Sequence, residues 1–271
     1  MFLTGPCIAA DNNTIVGCHQ GPARRVERGG GGRCCFDSRI QTIWAAVESA
    51  AAHLGIYRRV IRASLDRVWE NVLDWEHLPH LHKDSFRAIT PSRVDRDGWR
   101  ASVELADGGA AEIDVALDRP RLRYLTRTLA GAGAGGEIET VLSPRTDRAT
   151  AIEVSFRLPG VPDDAKALVF DYFRSLYTKL WDEDEGMMRE RQAYLDERVA
   201  TRVRTRTIEI DGECYAIAAV CPHLGGPLDA AQVADGCIVC PWHGYRFDVR
   251  TGECVSGQAF RLAVAKLDTP D

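Results

Sequence analysis

From Cys221 to His243 the chain reads CPHLGGPLDAAQVADGCIVCPWH, a C-x-H followed after sixteen residues by C-x-x-H. Two thiolates and two imidazoles split between two short knuckles leave few folding solutions, because both knuckles must meet around one inorganic centre. One solution is a [2Fe–2S] cluster with both thiolates on one iron and both imidazoles on the other. The rival is a tetrahedral zinc ion. Zinc ribbons and fingers usually pair Cys with Cys, whereas each knuckle here mixes one Cys with one His. Pro222 and Pro241 directly follow the two cysteines, and Gly244 closes the second knuckle. The pattern favours the iron–sulfur reading, with Cys221, His223, Cys240 and His243 as ligands. Such a cluster moves one electron at a time and does not choose a substrate, so the rest of the chain must supply the purpose.

The 271 residues leave room for one large or two modest domains with a buried core. An apolar fraction of 45% and a charged fraction of 27% are those of an ordinary globular protein. A net charge of −5 without a basic stripe argues against a nucleic-acid partner. Nine cysteines at irregular spacing do not form a disulfide framework. Neither a signal segment nor a membrane-length apolar run is present, so no membrane partner and a reducing cytoplasm are expected.

Residues 1–38 include four consecutive glycines, Gly29 to Gly32, and little fixed structure is expected there. From Arg39 to Leu54 the spacing of Ile40, Ile43, Trp44, Val47, Ala51 and Leu54 predicts a short amphipathic helix. Tyr57 to Ala63 alternates like a strand, and Ser64 then caps a helix expected to end near Pro79. Between 86 and 158, six alternating runs are separated by DRDG, DGG, DRP, GAGAGG and SPRTD, which predicts an antiparallel meander. Past Pro162 the period changes. Val169, Phe173, Leu176, Tyr177, Leu180, Met187 and Met188 mark one face of a long helix ending near Val199. From Arg202 onward, short strands such as TIEI and CYAIAAV build a small β unit around the Cys/His knuckles.

A second constellation lies far upstream. His77, His80 and His82 fall within NVLDWEHLPHLH, which begins at Asn71 and includes Asp74. Two imidazoles and one carboxylate on one face suit a mononuclear Fe(II) centre. On an unbroken helix His77 and His82 would point about 140° apart, so Pro79 is expected to break the helix and bring them round. The long helix offers carboxylates in WDEDEGMMRERQ. At 100° per residue Asp184 falls roughly 40° from Leu180, inside the apolar stripe, whereas Asp182 and Glu185 point away. A carboxylate on a core face must be paired or bound to metal. Glu183 is the runner-up ligand, and an Asp184–Arg191 pair without metal is the plain alternative. His80 is read as a neighbour of the site or a surface residue.

The order of strand, helices, meander and long closing helix resembles the START-like (SRPBCC) helix-grip superfamily over roughly residues 55–200, whose sheet wraps the last helix around an apolar pocket. The Cys/His knuckles and their strands resemble Rieske [2Fe–2S] domains. NVLDWEHLPHLH together with Asp184 resembles the iron motif of Rieske non-haem iron oxygenases. The fold class so implied is an α+β helix-grip domain over 39–200, an antiparallel sheet wrapped on a long C-terminal helix, followed by a small all-β Rieske domain over 201–271.

The oxygenase resemblance implies that His77, His82 and Asp184 hold Fe(II), while Asp74 hydrogen-bonds a ligand and bridges towards the cluster histidine. It implies an NAD(P)H-dependent reductase as electron source, directly or through a ferredoxin, with O2 and an apolar small molecule as substrates. It also implies a homo-trimer in which a cluster feeds the iron of a neighbouring subunit. Gly226 and Trp242 stand where high-potential Rieske proteins carry a disulfide pair, which implies no disulfide and a lower potential. Tyr245 is placed either to tune the cluster by a hydrogen bond or simply to pack. Two departures are clear: the Rieske domain usually precedes the catalytic one, and the catalytic part here is short. They leave transfer within or between chains open. They also sustain an alternative, an electron-transfer protein with a START-like ligand pocket and no mononuclear iron. Trp99, Tyr124, Phe156, Phe173, Tyr177 and Leu180 are the candidate pocket walls.

Overall fold

A computed structural model describes residues 51–199 and 204–267. The expected extension over 1–38 and most of the helix expected over 39–54 lie outside these residues. Where that helix was expected to end the chain is extended instead, and strand β1 spans Ala52–Ile61. It pairs antiparallel with β7 (Ala149–Leu158), from Ala52 opposite Leu158 to Ile61 opposite Thr150. Pairing along most of β1 outweighs a weak helical pattern at its start, and Gly55 just beyond that pattern is a poor helix former.

Ser64 caps helix α1 (Leu65–Leu73), its hydroxyl accepting from the Arg67 N–H at 3.3 Å. The helix ends at Asp74 (φ −85°, ψ 75°), five residues before the expected break at Pro79. A 3₁₀ turn over Trp75–His77 leads into the one-turn helix α2 (Leu78–Leu81). Pro79 sits in the first turn of α2, where a helix has no use for its missing N–H. The proline therefore starts a helix rather than breaking one.

The meander forms as expected, with strands longer than their alternating cores. They are β2 (Phe86–Asp95), β3 (Gly98–Leu105), β4 (Ala110–Asp118), β5 (Arg123–Gly131), β6 (Glu137–Thr146) and β7. The seven-stranded sheet has the order β1-β7-β6-β5-β4-β3-β2, with every neighbouring pair antiparallel. Helix α3 (Lys166–Val199) packs against its inner face, which is the helix-grip arrangement. Ile61, Trp99, Val103, Val154 and Phe156 of the sheet and Trp69 of α1 meet Trp181 and Met188 of α3 in one buried cluster. Phe156 is fully buried, with ring centroids 5.5 Å from Phe173 and 4.9 Å from Tyr177.

The last part of the chain is all β. Strands β8 (Thr205–Ile210), β9 (Glu213–Ala218) and β13 (Val264–Leu267) form a sheet of order β13-β9-β8. Strands β10 (Val233–Ala234), β11 (Cys237–Val239) and β12 (Arg246–Asp248) form a second one. Ile217, Leu228, Ile238, Phe247 and Leu262 fill the core between them, and Cys221 and Cys240 belong to that core. Met187 of α3 and Leu81 of α2 pack into this second core as well. The two adjacent methionines thus serve different cores, and the single stripe expected for α3 divides at Met187. Among the described residues no helix is long and apolar enough to cross a membrane.

Candidate metal centres

His77 and His82 flank α2, one before its first residue and the other as its C-cap. One helical turn between them brings the rings to 5.1 Å centroid separation. Asp184 arrives from the middle of α3, and the ligand atoms of the three residues all lie within 4.8 Å of one another. Both Nε2 atoms face the same carboxylate oxygen: His82 Nε2 is 3.0 Å and His77 Nε2 3.4 Å from Asp184 Oδ1. All three side chains are buried. Burial opposes charge on His77, yet Asp184 and Asp74 hold its pKa up at about 10. Burial likewise favours neutral Asp184, and His77 and His82 nevertheless keep it well below the ordinary carboxylate range. The pocket demands one positive charge between two imidazoles and a carboxylate. A proton satisfies that demand, and a divalent cation fits the same N,N,O donor set.

Neighbours orient two of the three residues. Asn71 Nδ2–H donates to Asp184 Oδ1 at 3.0 Å, and His82 Nδ1–H donates to Glu183 Oε2 at 2.6 Å. Fixing the Nδ1 proton of His82 leaves its Nε2 lone pair free for a metal. Glu183, the runner-up ligand, therefore stands behind the histidine. Arg191, the alternative partner of Asp184, pairs with Glu70 at 3.1 Å instead.

At the knuckles, Cys221 and Cys240 are buried in one core, and His223 and His243 lie with ring centroids 4.6 Å apart. The Nδ1 atoms of both histidines are buried without any hydrogen-bond partner. Buried nitrogens are rarely left bare, so two orphaned imidazole atoms beside two crowded sulfurs fit a metal cluster. The neighbouring Cys221 lowers the Cys240 thiol against the pull of burial, while Cys221 itself is pushed up. His223 is held down at about 4 by burial and by the nearby His243.

One carboxylate touches both centres. His243 Nε2–H donates to Asp74 Oδ2 at 2.8 Å, and the same oxygen lies 3.6 Å from His77 Nδ1. The second separation is too long for a formed hydrogen bond, although it is close electrostatically. Burial works against both ions, but Asp74 raises His243 to about 9 and stays well below its own ordinary range. Tyr245 donates its hydroxyl to Glu76, so its bond goes to the helix-grip half, and its ring lies 5.0 Å from that of His223. The sequence reading missed Glu76, and the only signal for it was its place one residue before His77. His80 packs on Gly244.

Residues 179–266 match the family model described as the Rieske [2Fe-2S] domain, so the chain carries such a domain. Over 46 residues it is 46% identical to "Cholesterol 7-desaturase nvd" of Hemicentrotus pulcherrimus, a match covering 17% of this chain and 10% of that protein. Over 48 residues it is 42% identical to "Aminopyrrolnitrin oxygenase PrnD" of Pseudomonas fluorescens, covering 18% and 13%. Each match spans only a small part of the relative. Among solved structures, a START superfamily protein from Mycobacterium smegmatis superposes with a TM-score of 0.42 at 18% identity, over 50% of this chain and 99% of that one.

Proposed function

We propose that the chain is a Rieske-type non-haem iron oxygenase component, with a helix-grip unit over 39–200 and a Rieske unit over 201–271. The observation that carries this reading is the Asp74 carboxylate, 2.8 Å from His243 of one ligand set and 3.6 Å from His77 of the other. A plain electron carrier has no use for a buried His–His–carboxylate pocket joined to its cluster ligands. Cys221, His223, Cys240 and His243 would hold a [2Fe–2S] cluster, and His77, His82 and Asp184 would hold Fe(II). Bound there, the two would supply single electrons and the reduction of dioxygen beside an apolar substrate. The residues do the rest. Asn71 aims Asp184, Glu183 fixes the tautomer of His82, and Asp74 locks the orientation of His243. Buried Trp99, Tyr124 and Phe156, with Tyr177 against them, make the interior beside Asp184 apolar and exclude water. An NAD(P)H-dependent reductase is the electron source in this reading.

The test is an iron count on anaerobically reconstituted protein. Three irons per chain are expected, falling to two in His77→Ala and in Asp184→Ala. A count of two in the unaltered protein, unmoved by either substitution, sinks the reading in favour of an electron-transfer protein with a ligand-binding helix-grip unit.

A further inference from the structure

Each cluster knuckle carries a glycine that seats a side chain from the helix-grip half. Gly225 (φ +81°) and Gly244 (φ +66°) hold backbone conformations that side chains disfavour. A Cβ on Gly225 would overlap the ring of Tyr194, near the end of α3. A Cβ on Gly244 would overlap the imidazole of His80 in α2. Arg191, one turn before Tyr194, donates Nη1–H to the Leu224 carbonyl at 3.2 Å while pairing with Glu70 of α1. The Asp74–His243 bond and the Tyr245–Glu76 bond also join the two halves. Met187 and Leu81 close the junction by packing into the second core. Side chains of α3 thus meet the first knuckle, and those of α2 and the residues around the 3₁₀ turn meet the second, with a glycine seating one side chain at each. Close packing of this kind makes a joint of fixed geometry.

We infer that the two ligand sets work as one unit within a single chain: the knuckles dock in cis, and an electron passes from the His243 side to the His77 side without a second subunit. The inference rests on the oxygenase reading and departs from the chain-to-chain trimer that the family resemblance implies. A [2Fe–2S] cluster held at the knuckles would supply one electron at a time and iron held by the triad would accept it, so each transfer would oxidise the one and reduce the other by a single electron. A one-electron donor protein drawing on reduced nicotinamide restores the cluster, and dioxygen is the terminal acceptor.

Amide exchange of the holoprotein, read by mass spectrometry over 221–228 and 240–246, tests the docking. Protection at both knuckles should be unchanged over a roughly hundredfold dilution. Tyr194→Ala should speed exchange about tenfold near Cys221 and His80→Ala near Cys240, with the reduced cluster's EPR signal retained. Protection lost on dilution, or insensitive to both substitutions, overturns docking in cis. A second measurement uses co-expressed His77→Ala and Cys240→Ala chains, so that mixed oligomers form wherever the chain oligomerises. Dioxygen-driven reoxidation of the cluster should stay at the His77→Ala background; recovery in the mixture shows transfer between chains and overturns the inference. The iron count is separate: two irons per chain with dilution-proof protection would refute the triad and leave the joint standing.

Discussion

At the scale of single residues, charge and tautomer decide what each ligand can do. Asp74 holds His243 by a 2.8 Å charge-assisted bond and lies 3.6 Å from His77. Asp74→Asn keeps the shape and removes the charge, so both metals should remain bound while transfer between the centres slows about tenfold or more. Stopped-flow reoxidation of the reduced cluster measures this, and an unchanged rate would remove Asp74 from the path. Glu183→Gln should weaken Fe(II) binding about 10–100-fold, because the partner that fixes the His82 tautomer becomes neutral. Titration against a chelating dye reads that loss, and unaltered affinity would mean that His82 needs no such partner. Asp184 was legible from sequence because helical arithmetic places one carboxylate on the buried stripe. The role of Glu183 was not legible. Two adjacent carboxylates reach the same histidine because an imidazole offers two nitrogens, and His82 presents Nδ1 to Glu183 and Nε2 to Asp184.

Among the elements, period and turn chemistry carried the meander and α3, since strands with one buried face must alternate. What sequence concealed was the meaning of Pro79 and of the second face of α3. Glu185 of α3, expected to point away from the core, is buried and accepts from Arg59 of β1 at 2.7 Å and from Arg62 just after it at 2.5 Å. Its apolar neighbours give no sign of this, because the partners lie more than a hundred residues earlier. Burial opposes its charge, but Arg62 and then Arg59 hold its carboxyl below the ordinary 4.5. Glu185→Ala should cost about 1–2 kcal/mol, less than a fully buried pair because the Arg62 side chain is 71% exposed. A depressed carboxylate pKa stabilises the fold above the unfolded value and ceases to do so as pH falls through the folded one. Denaturant titrations of the two proteins should therefore differ at pH 7 and converge in acid. A gap that persists below the folded pKa would assign the loss to packing instead of charge.

On the scale of the whole molecule, two cores of unequal self-sufficiency share one chain. The first gathers a seven-stranded sheet and a 34-residue helix. The second is small and counts Cys221 and Cys240 among its core residues. A unit of roughly 70 residues rarely draws more than about 3–5 kcal/mol from burial alone, and metal affinity becomes folding free energy where the ligands lie inside the core. The reversed order of the two units was plain in the sequence, since the knuckles follow the long helix. Their joint was not legible, because Gly225 and Gly244 look like ordinary knuckle glycines until Tyr194 and His80 are seen against them. Cys240→Ala removes one thiolate and with it the cluster. Calorimetry should then show the second unit's transition lowered or lost, while a transition for the helix-grip unit remains. His77→Ala, which leaves the knuckles intact, should leave the second unit's transition in place. If Cys240→Ala abolishes both transitions, the helix-grip core depends on the docked cluster unit, and the idea of two cores of unequal self-sufficiency fails.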